Sequence, residues 1–269
     1  MATLHPDRDG TDARPAGVRS RARARLVVAG ARSLRRGPST GPGHVARLVR
    51  PALSRGALPR HGSLLQDRLK RATDLLLSVV LLICLAPLFA LAAVAIRLDS
   101  PGPVFFRQPR IGRDGREFTM LKFRSMALDA TPDAHRDYIN SLANATGDHS
   151  PGGLRKLTAD RRVTRVGAIL RKTSIDEAPQ LINVLAGRMS IVGPRPALAY
   201  ELEFYRPEHV ERFRVRPGMT GLWQVSGRSQ LGWSEMLELD IEYVRRQSFA
   251  YDMWLLLRTP WAVLSAHTA

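Results

Sequence analysis

Between Leu75 and Ile96 runs "LLLSVVLLICLAPLFALAAVAI", 22 residues without a charge. A straight helix of that length rises about 33 Å, and the hydrocarbon core of a bilayer is about 30 Å thick. A core helix of a soluble domain is apolar on one stripe, whereas this run is apolar all round, so it belongs in lipid. Two features oppose a simple crossing. Pro87 lies just past the middle, where it removes a backbone hydrogen bond and kinks or breaks a helix. Basic residues flank both ends: Arg68, Lys70 and Arg71 before, and Arg97, Arg107, Arg110 and Arg113 after. A spanning segment carries its positive charge mainly on one side. A re-entrant helix, broken at Pro87 and leaving by the face it entered, accommodates both features, with a plain crossing as the alternative.

The 269 residues include 41 Lys+Arg and 24 Asp+Glu, a formal net charge of +17 that favours anionic partners. That charge is concentrated at the start, because residues 1–70 hold 15 basic and 4 acidic side chains. Few large apolar residues and no sustained period occur in "RPAGVRSRARARLVVAGARSLRRGPSTGPG". Residues 1–62 therefore read as a disordered Arg-rich arm, either solvated or lying on anionic lipid. The single cysteine, Cys84, excludes an internal disulfide and any multi-cysteine metal cluster. A Walker-type loop, a G-x-S-x-G elbow and an H-E-x-x-H helix are all missing from the sequence.

The division that follows is an arm over 1–62, a membrane-embedded segment over 63–99 and a catalytic domain over 100–269. In the last, Val104–Arg107 and Glu117–Phe123 flank Asp114-Gly115, the makeup of a β-hairpin. Residues 128–156 form a polar insertion without an assignable role. "VTRVGAILRKT" reads as a short helix with Val163, Val166, Ile169 and Leu170 on its apolar stripe. A second helix is expected from about Asp176, with Leu181, Ile182 and Leu185 inward and Gly187 as its stop. "RPGMTGLWQVSGRS" reads as a turn-rich loop, and "WSEMLELDIEYVRRQS" as a helix capped by Ser234. The last apolar helix is interrupted near Pro260 and carries Trp254 and Trp261 on one face, so it is either a packed core helix or one resting in the lipid interface. The fold class is α+β and helix-rich: a membrane helix, then a small domain with a short hairpin and interfacial amphipathic helices.

The chemistry concentrates in "TSIDEAPQLINVLAGRMSIVGPRP", residues 173–196. Asp176 and Glu177 stand at an expected helix start, and Ser174-x-x-Glu177 and Thr173-x-x-Asp176 both match a capping box. Capping alone leaves the surrounding basic groups without a purpose. A phosphate reaction uses them. An aspartate can attack phosphorus and split one displacement into two. A neighbouring carboxylate can hold Mg²⁺ against a diphosphate. Arginines bind phosphate oxygens in bidentate fashion, and the candidates here are Arg171, Arg195, Lys122 and Arg124.

Three stretches in order, "KRATDLLLS" leading into the apolar run, "PGPVFFRQPRIGRDGREFTMLKFRSM" and "LRKTSIDEAPQLINVLAGRMSIVGPRP", resemble the bacterial sugar transferase family, the monotopic polyprenyl-phosphate phosphoglycosyl transferases. "VRPGMTGLWQVSGRSQLGWSEMLELDIEYV" is similar to the branch that begins exopolysaccharide or O-antigen units. The resemblance covers about residues 65–265. It implies transfer of a sugar-1-phosphate from a UDP-sugar to undecaprenyl phosphate, with UMP released. It places the family's nucleophile on Asp176, its Mg²⁺ ligand on Glu177, its phosphate-contacting arginines on Arg171 and Arg195, and its helix break on Pro87. It attaches Lys122 and Arg124 to substrate or lipid phosphate less closely. It also implies a bacterial cytoplasmic membrane with the catalytic domain on the cytoplasmic face, and it is compatible with self-association. Larger family members carry a preceding bundle of transmembrane helices, where this chain has the arm.

Two other functions compete. A membrane-anchored basic scaffold would place function in the arm and leave Asp176 as a cap, but the body carries no nucleic-acid motif. A glycosyl transferase moving only the sugar would release UDP.

Overall fold

The computed structural model describes residues 64–127, 162–227 and 231–265, together with Val49 and Leu53. The expectations for the rest of the arm and for the 128–156 insertion lie outside the described residues.

Helix α1, Leu64–Asp99, contains the whole apolar run, with Pro87 inside it. The helix assignment continues through the proline. Along α1 only Asp74, Ser78, Ala92 and Ile96 are buried. Large apolar side chains such as Ile83 (69% exposed) and Leu91 (66%) face outward, which identifies a surface that water would not tolerate.

Both ends of α1 are nevertheless fastened to the same body. At its start, Arg71 donates to the carbonyl oxygens of Val184 and Leu185 at 2.7 and 2.9 Å. Those are the last two carbonyls of helix α3, Gln180–Leu185, where Arg71 adds to the Gly187 amide already donated to Val184. One turn on, Asp74 Oδ1 accepts from the Ser190 hydroxyl and the Ile191 amide of strand β3, Ser190–Val192. Lys70 Nζ lies 2.7 Å from Asp252 and 2.9 Å from the Val192 carbonyl, joining α1 to the last helix. At the far end, the Arg124 guanidinium donates to the carbonyls of Ser100, Pro101 and Ile96. Asp99 accepts from the Val166 amide.

Strands β1, Phe105–Ile111, and β2, Glu117–Phe123, form an antiparallel hairpin in which Phe105 faces Phe123 and Ile111 faces Glu117. Asp114 and Gly115 take positive φ values of 58° and 70° in the connecting turn, as the Asp-Gly pair suggests. Phe123 at the end of β2 packs with Ala92, Ile96 and Leu170, so the hairpin roots on the end of α1. Helix α2, Arg165–Lys172, is capped by the Thr164 hydroxyl, which accepts from the Gly167 amide. Leu170 is its buried side chain, while Ile169 is 64% exposed, contrary to the expected stripe. Val163 precedes the helix and bridges to Met126 instead.

The expected loop after Arg216 is more ordered. Strand β4, Gly218–Thr220, pairs in parallel with β3, and helix α4, Leu222–Ser226, follows. Glycine is required where β4 passes the residue that follows β3: a Cβ on Gly218 would lie 2.1 Å from the Gly193 nitrogen. Helix α5, Trp233–Arg246, has Gly232 at its N-cap with no side-chain cap, so Ser234 does not hold that role. Helix α6, Phe249–Ser265, continues through Pro260 where an interruption was expected. It buries Asp252 and Leu255 and exposes Leu257 and Trp261. Trp254, 40% exposed, stacks on Tyr251 and lies under the Arg258 guanidinium.

Replacing Asp74 by Ala strands two buried donors, the Ser190 hydroxyl and the Ile191 amide. The expected loss of stability is about 3 kcal/mol, read as a lowered thermal midpoint in detergent, with Asp74→Asn losing less.

Candidate active site

Asp176 and Glu177 lie in a single 3-10 turn, Ile175–Glu177, ahead of α3 rather than in its first turn. Ser174, before them, adopts a left-handed conformation with φ 59° and makes no side-chain cap. A non-glycine residue there stores strain that its surroundings must hold. The Thr173 hydroxyl turns backward onto the carbonyls of Ile169 and Leu170. Neither expected capping box is formed. Asp176 is buried, and Glu177 is half-exposed with its Oε1 2.9 Å from Lys122 Nζ.

Lys122 reaches Glu177 because β2 is locked to α3 by Asn183. Its side-chain amide donates to the Thr119 carbonyl at 2.7 Å and accepts from the Leu121 amide at 2.9 Å. Asn183 is 2% exposed, and both of its hydrogen-bonding ends are satisfied by strand backbone. Asn183 lies within the expected helix but outside its expected inward set of Leu181, Ile182 and Leu185, and no local pattern marks it as the tie to β2.

Arg171 and Lys172 close α2, where the free carbonyls favour cations, and the Arg171 carbonyl accepts from Ser174 at the entrance to the dyad turn. Arg195 stands on a separate loop, held from several sides. Its guanidinium donates to Glu201 at 2.8 Å, and its carbonyl accepts from Arg212 at 2.6 Å. Arg110 donates to the Pro196 carbonyl at 2.9 Å, and Glu201 also accepts from the Leu198 amide. Arg212 continues inward to Asp240 and Tyr205. Of the candidate cations, Lys122 meets the dyad directly and Arg171 shares its chain segment, whereas Arg195, on the loop after β3, pairs with Glu201. Arg124 is occupied differently, because its guanidinium ends α1 as described above.

The Glu201 carboxylate is fully buried. Burial alone would raise its pKa, but the charges of Arg195 and Arg110 and its hydrogen bonds hold it below the usual carboxylate range. Burial lowers Arg110 to about 10, and the Arg195 charge adds to that effect. Burial raises Asp240 to about 6 against the opposing charge of Arg212. Arg110, Glu201, Arg212 and Asp240 were all missed as site residues. Each is a single charged residue in an ordinary local pattern, and only the fold gathers them.

Among the described residues no group of three His, Cys, Asp or Glu side chains could hold a metal ion by itself. A lone carboxylate such as Glu177, completed by phosphate oxygens and water, does fit Mg²⁺, which keeps much of its hydration and rarely has an all-protein cage.

Adjacent carboxylates, one buried and one paired with lysine, in a chain that also holds a buried arginine cluster on the loop after β3, are groups suited to anionic, phosphorylated ligands. The chain belongs to the bacterial sugar transferase family, whose sequence model matches residues 65–266. It is 40% identical over 190 residues to the exopolysaccharide production protein ExoY of Rhizobium meliloti (strain 1021), covering 71% of this chain and 83% of that protein. It is 39% identical over 239 residues to the UDP-glucose:undecaprenyl-phosphate glucose-1-phosphate transferase of Caulobacter vibrioides, covering 85% and 80% respectively. The UDP-galactose-lipid carrier transferase of Erwinia amylovora is 39% identical over 198 residues, which is 73% of this chain and 40% of that protein.

Removing the Glu201 carboxylate leaves a buried cluster of arginines without its central counter-charge. Glu201→Ala is expected to cost about 3–5 kcal/mol and Glu201→Gln less, measured by chemical denaturation of the detergent-solubilised protein.

Proposed function

We propose that the protein transfers a sugar-1-phosphate from a UDP-sugar to undecaprenyl phosphate at the cytoplasmic face of a bacterial membrane, releasing UMP. This begins the repeat unit of an exopolysaccharide or related glycoconjugate. The observation that carries the reading is the dyad turn. Asp176 is buried on a strained turn that performs no capping, beside a glutamate already paired with Lys122.

In the first step an Asp176 carboxylate oxygen attacks the phosphorus that bears the sugar. The bond from that phosphorus to the bridging oxygen breaks, and UMP leaves with the electron pair. In the second step an oxygen of undecaprenyl phosphate attacks the same phosphorus and displaces Asp176, giving the lipid diphosphate sugar and the free carboxylate. Arg195 and Arg171 hold phosphate oxygens, and Lys122 keeps the Glu177 carboxylate in place beside the nucleophile. Mg²⁺ held by Glu177 would neutralise the diphosphate charge and improve the leaving group. The pre-set ion pairs lower the cost of organising charge at the moment of reaction.

The acceptor is confined to lipid, so the site must sit at the headgroup plane. Two features support a re-entrant α1. Its outward face is apolar, and both ends grip the same body, Arg71 and Asp74 at one and Asp99 at the other. A helix crossing the bilayer would separate those grips by the membrane. Exposed Trp261 and Leu257 on α6 supply a further surface for the lipid interface.

The test is a nucleotide-release assay on the detergent-solubilised protein with Mg²⁺, undecaprenyl phosphate and a panel of UDP-sugars, run beside Asp176→Asn. The expected result is UMP from one donor and a loss of about 10³-fold or more in the variant. In the absence of acceptor, the wild type should gain the mass of one phospho-sugar on the peptide containing Asp176. Release of UDP would favour direct glycosyl transfer and overturn the proposal.

A further inference from the structure

The loop that carries Arg195 is held more firmly than phosphate binding by one arginine requires, and its charges do not balance. Three buried or nearly buried guanidinium groups, Arg110, Arg195 and Arg212, share two carboxylates, Glu201 and Asp240. Arg195 pairs with Glu201, and Arg212 with Asp240. Arg110 is left over. It is 6% exposed, and its hydrogen bonds run to the neutral oxygens of Gln108 and Pro196. No carboxylate lies within ion-pair distance of it among the described residues, and Glu201 and Glu177 act on it only at longer range. Buried charges are normally paired, because leaving water costs an isolated ion several kcal/mol. A cation kept in this state, beside a second arginine that repels it, marks a place where charge arrives from outside the protein.

We infer that Arg110 is a positioning residue for the transfer reaction: it fixes the Pro196 carbonyl and supplies the excess positive charge that a bound diphosphate neutralises through Arg195. The inference rests on the phosphate-handling role proposed above. Arg110 lies on β1 and Arg195 follows β3, so the contact also links the hairpin to the Arg195 loop. The field of Arg110 reaches Glu177. A diphosphate bridging Arg195 and the dyad would lie within that field. In the ligand-free protein the surplus charge is unfavourable, and binding relieves it. Part of the affinity for the donor thus comes from a cost already built into the fold.

The test uses full-length Arg110→Gln and Arg110→Lys in nanodiscs. Two quantities are measured: binding of inorganic pyrophosphate by calorimetry, and KM and kcat for the UDP-sugar in UMP release. Arg110→Gln should weaken pyrophosphate binding and raise KM by about tenfold, with kcat changed by less than about threefold. Arg110→Lys, which keeps the charge but loses the forked contact to Gln108, should fall between wild type and Arg110→Gln. A purely structural arginine would instead lower the thermal midpoint in both variants and leave pyrophosphate affinity unchanged in whatever protein remains folded. Pyrophosphate binding in Arg110→Gln within twofold of wild type overturns the inference, as does a lysine variant as defective as glutamine. Failure of the wild type to release UMP from any donor, with the pyrophosphate difference intact, counts against the transfer reaction and leaves the anion role of Arg110 standing.

Discussion

Lys70, Arg71 and Asp74 project from neighbouring turns at the start of α1, and each reaches a different element of the catalytic body. Arg71 ends α3, Asp74 fixes the first residues of β3, and Lys70 joins β3 to Asp252 of α6. These contacts lie at opposite flanks of the site. Helix α3 follows the dyad turn, and β3 leads into the loop of Arg195. The helix that carries the apolar surface therefore also sets the spacing between the dyad turn and the Arg195 loop. Weakening this clamp would loosen the site and its relation to the lipid surface together.

The polar interior repeats the same economy of connection. Asn183 ties α3 to β2 through strand backbone and so brings Lys122 to Glu177. Glu201 binds both Arg195 and the backbone that follows it. In each case one buried side chain with all of its main hydrogen-bonding capacity engaged locks two segments that the chain alone would leave free. Such networks are costly when incomplete and rigid when satisfied. Rigidity suits the proposed transfer, in which the site would receive first a soluble nucleotide-sugar and then a lipid phosphate.

Much of this was legible in the sequence because the signals were local. The uncharged run, the Asp-Gly turn of the hairpin and the adjacent Asp176 and Glu177 all announce themselves within a few residues. The expected capping boxes did not form because Ser174 turns left-handed and the Thr173 hydroxyl is taken up by the carbonyls of Ile169 and Leu170. Ile169 and Ile182 stood on apolar stripes yet face outward, since short helices leave two positions of similar phase and neighbours decide which is covered. The β3–β4 pair has three residues in each strand, too few to show a period. Arg110 and Glu201 are distant in sequence and carry no motif, so their meeting at the Arg195 loop exists only in the folded chain.

The proposed one-sided attachment of α1 would place the dyad at the lipid face, where both substrates can meet it. In a Cys84→Ser background, single cysteines replacing Leu64 and Pro103 stand just before and just after the membrane segment. Labelling with a membrane-impermeant maleimide, in right-side-out and inverted vesicles, asks which face each occupies. The account predicts that both label only in inverted vesicles. Labelling of one cysteine in each orientation would make α1 a crossing helix and contradict it.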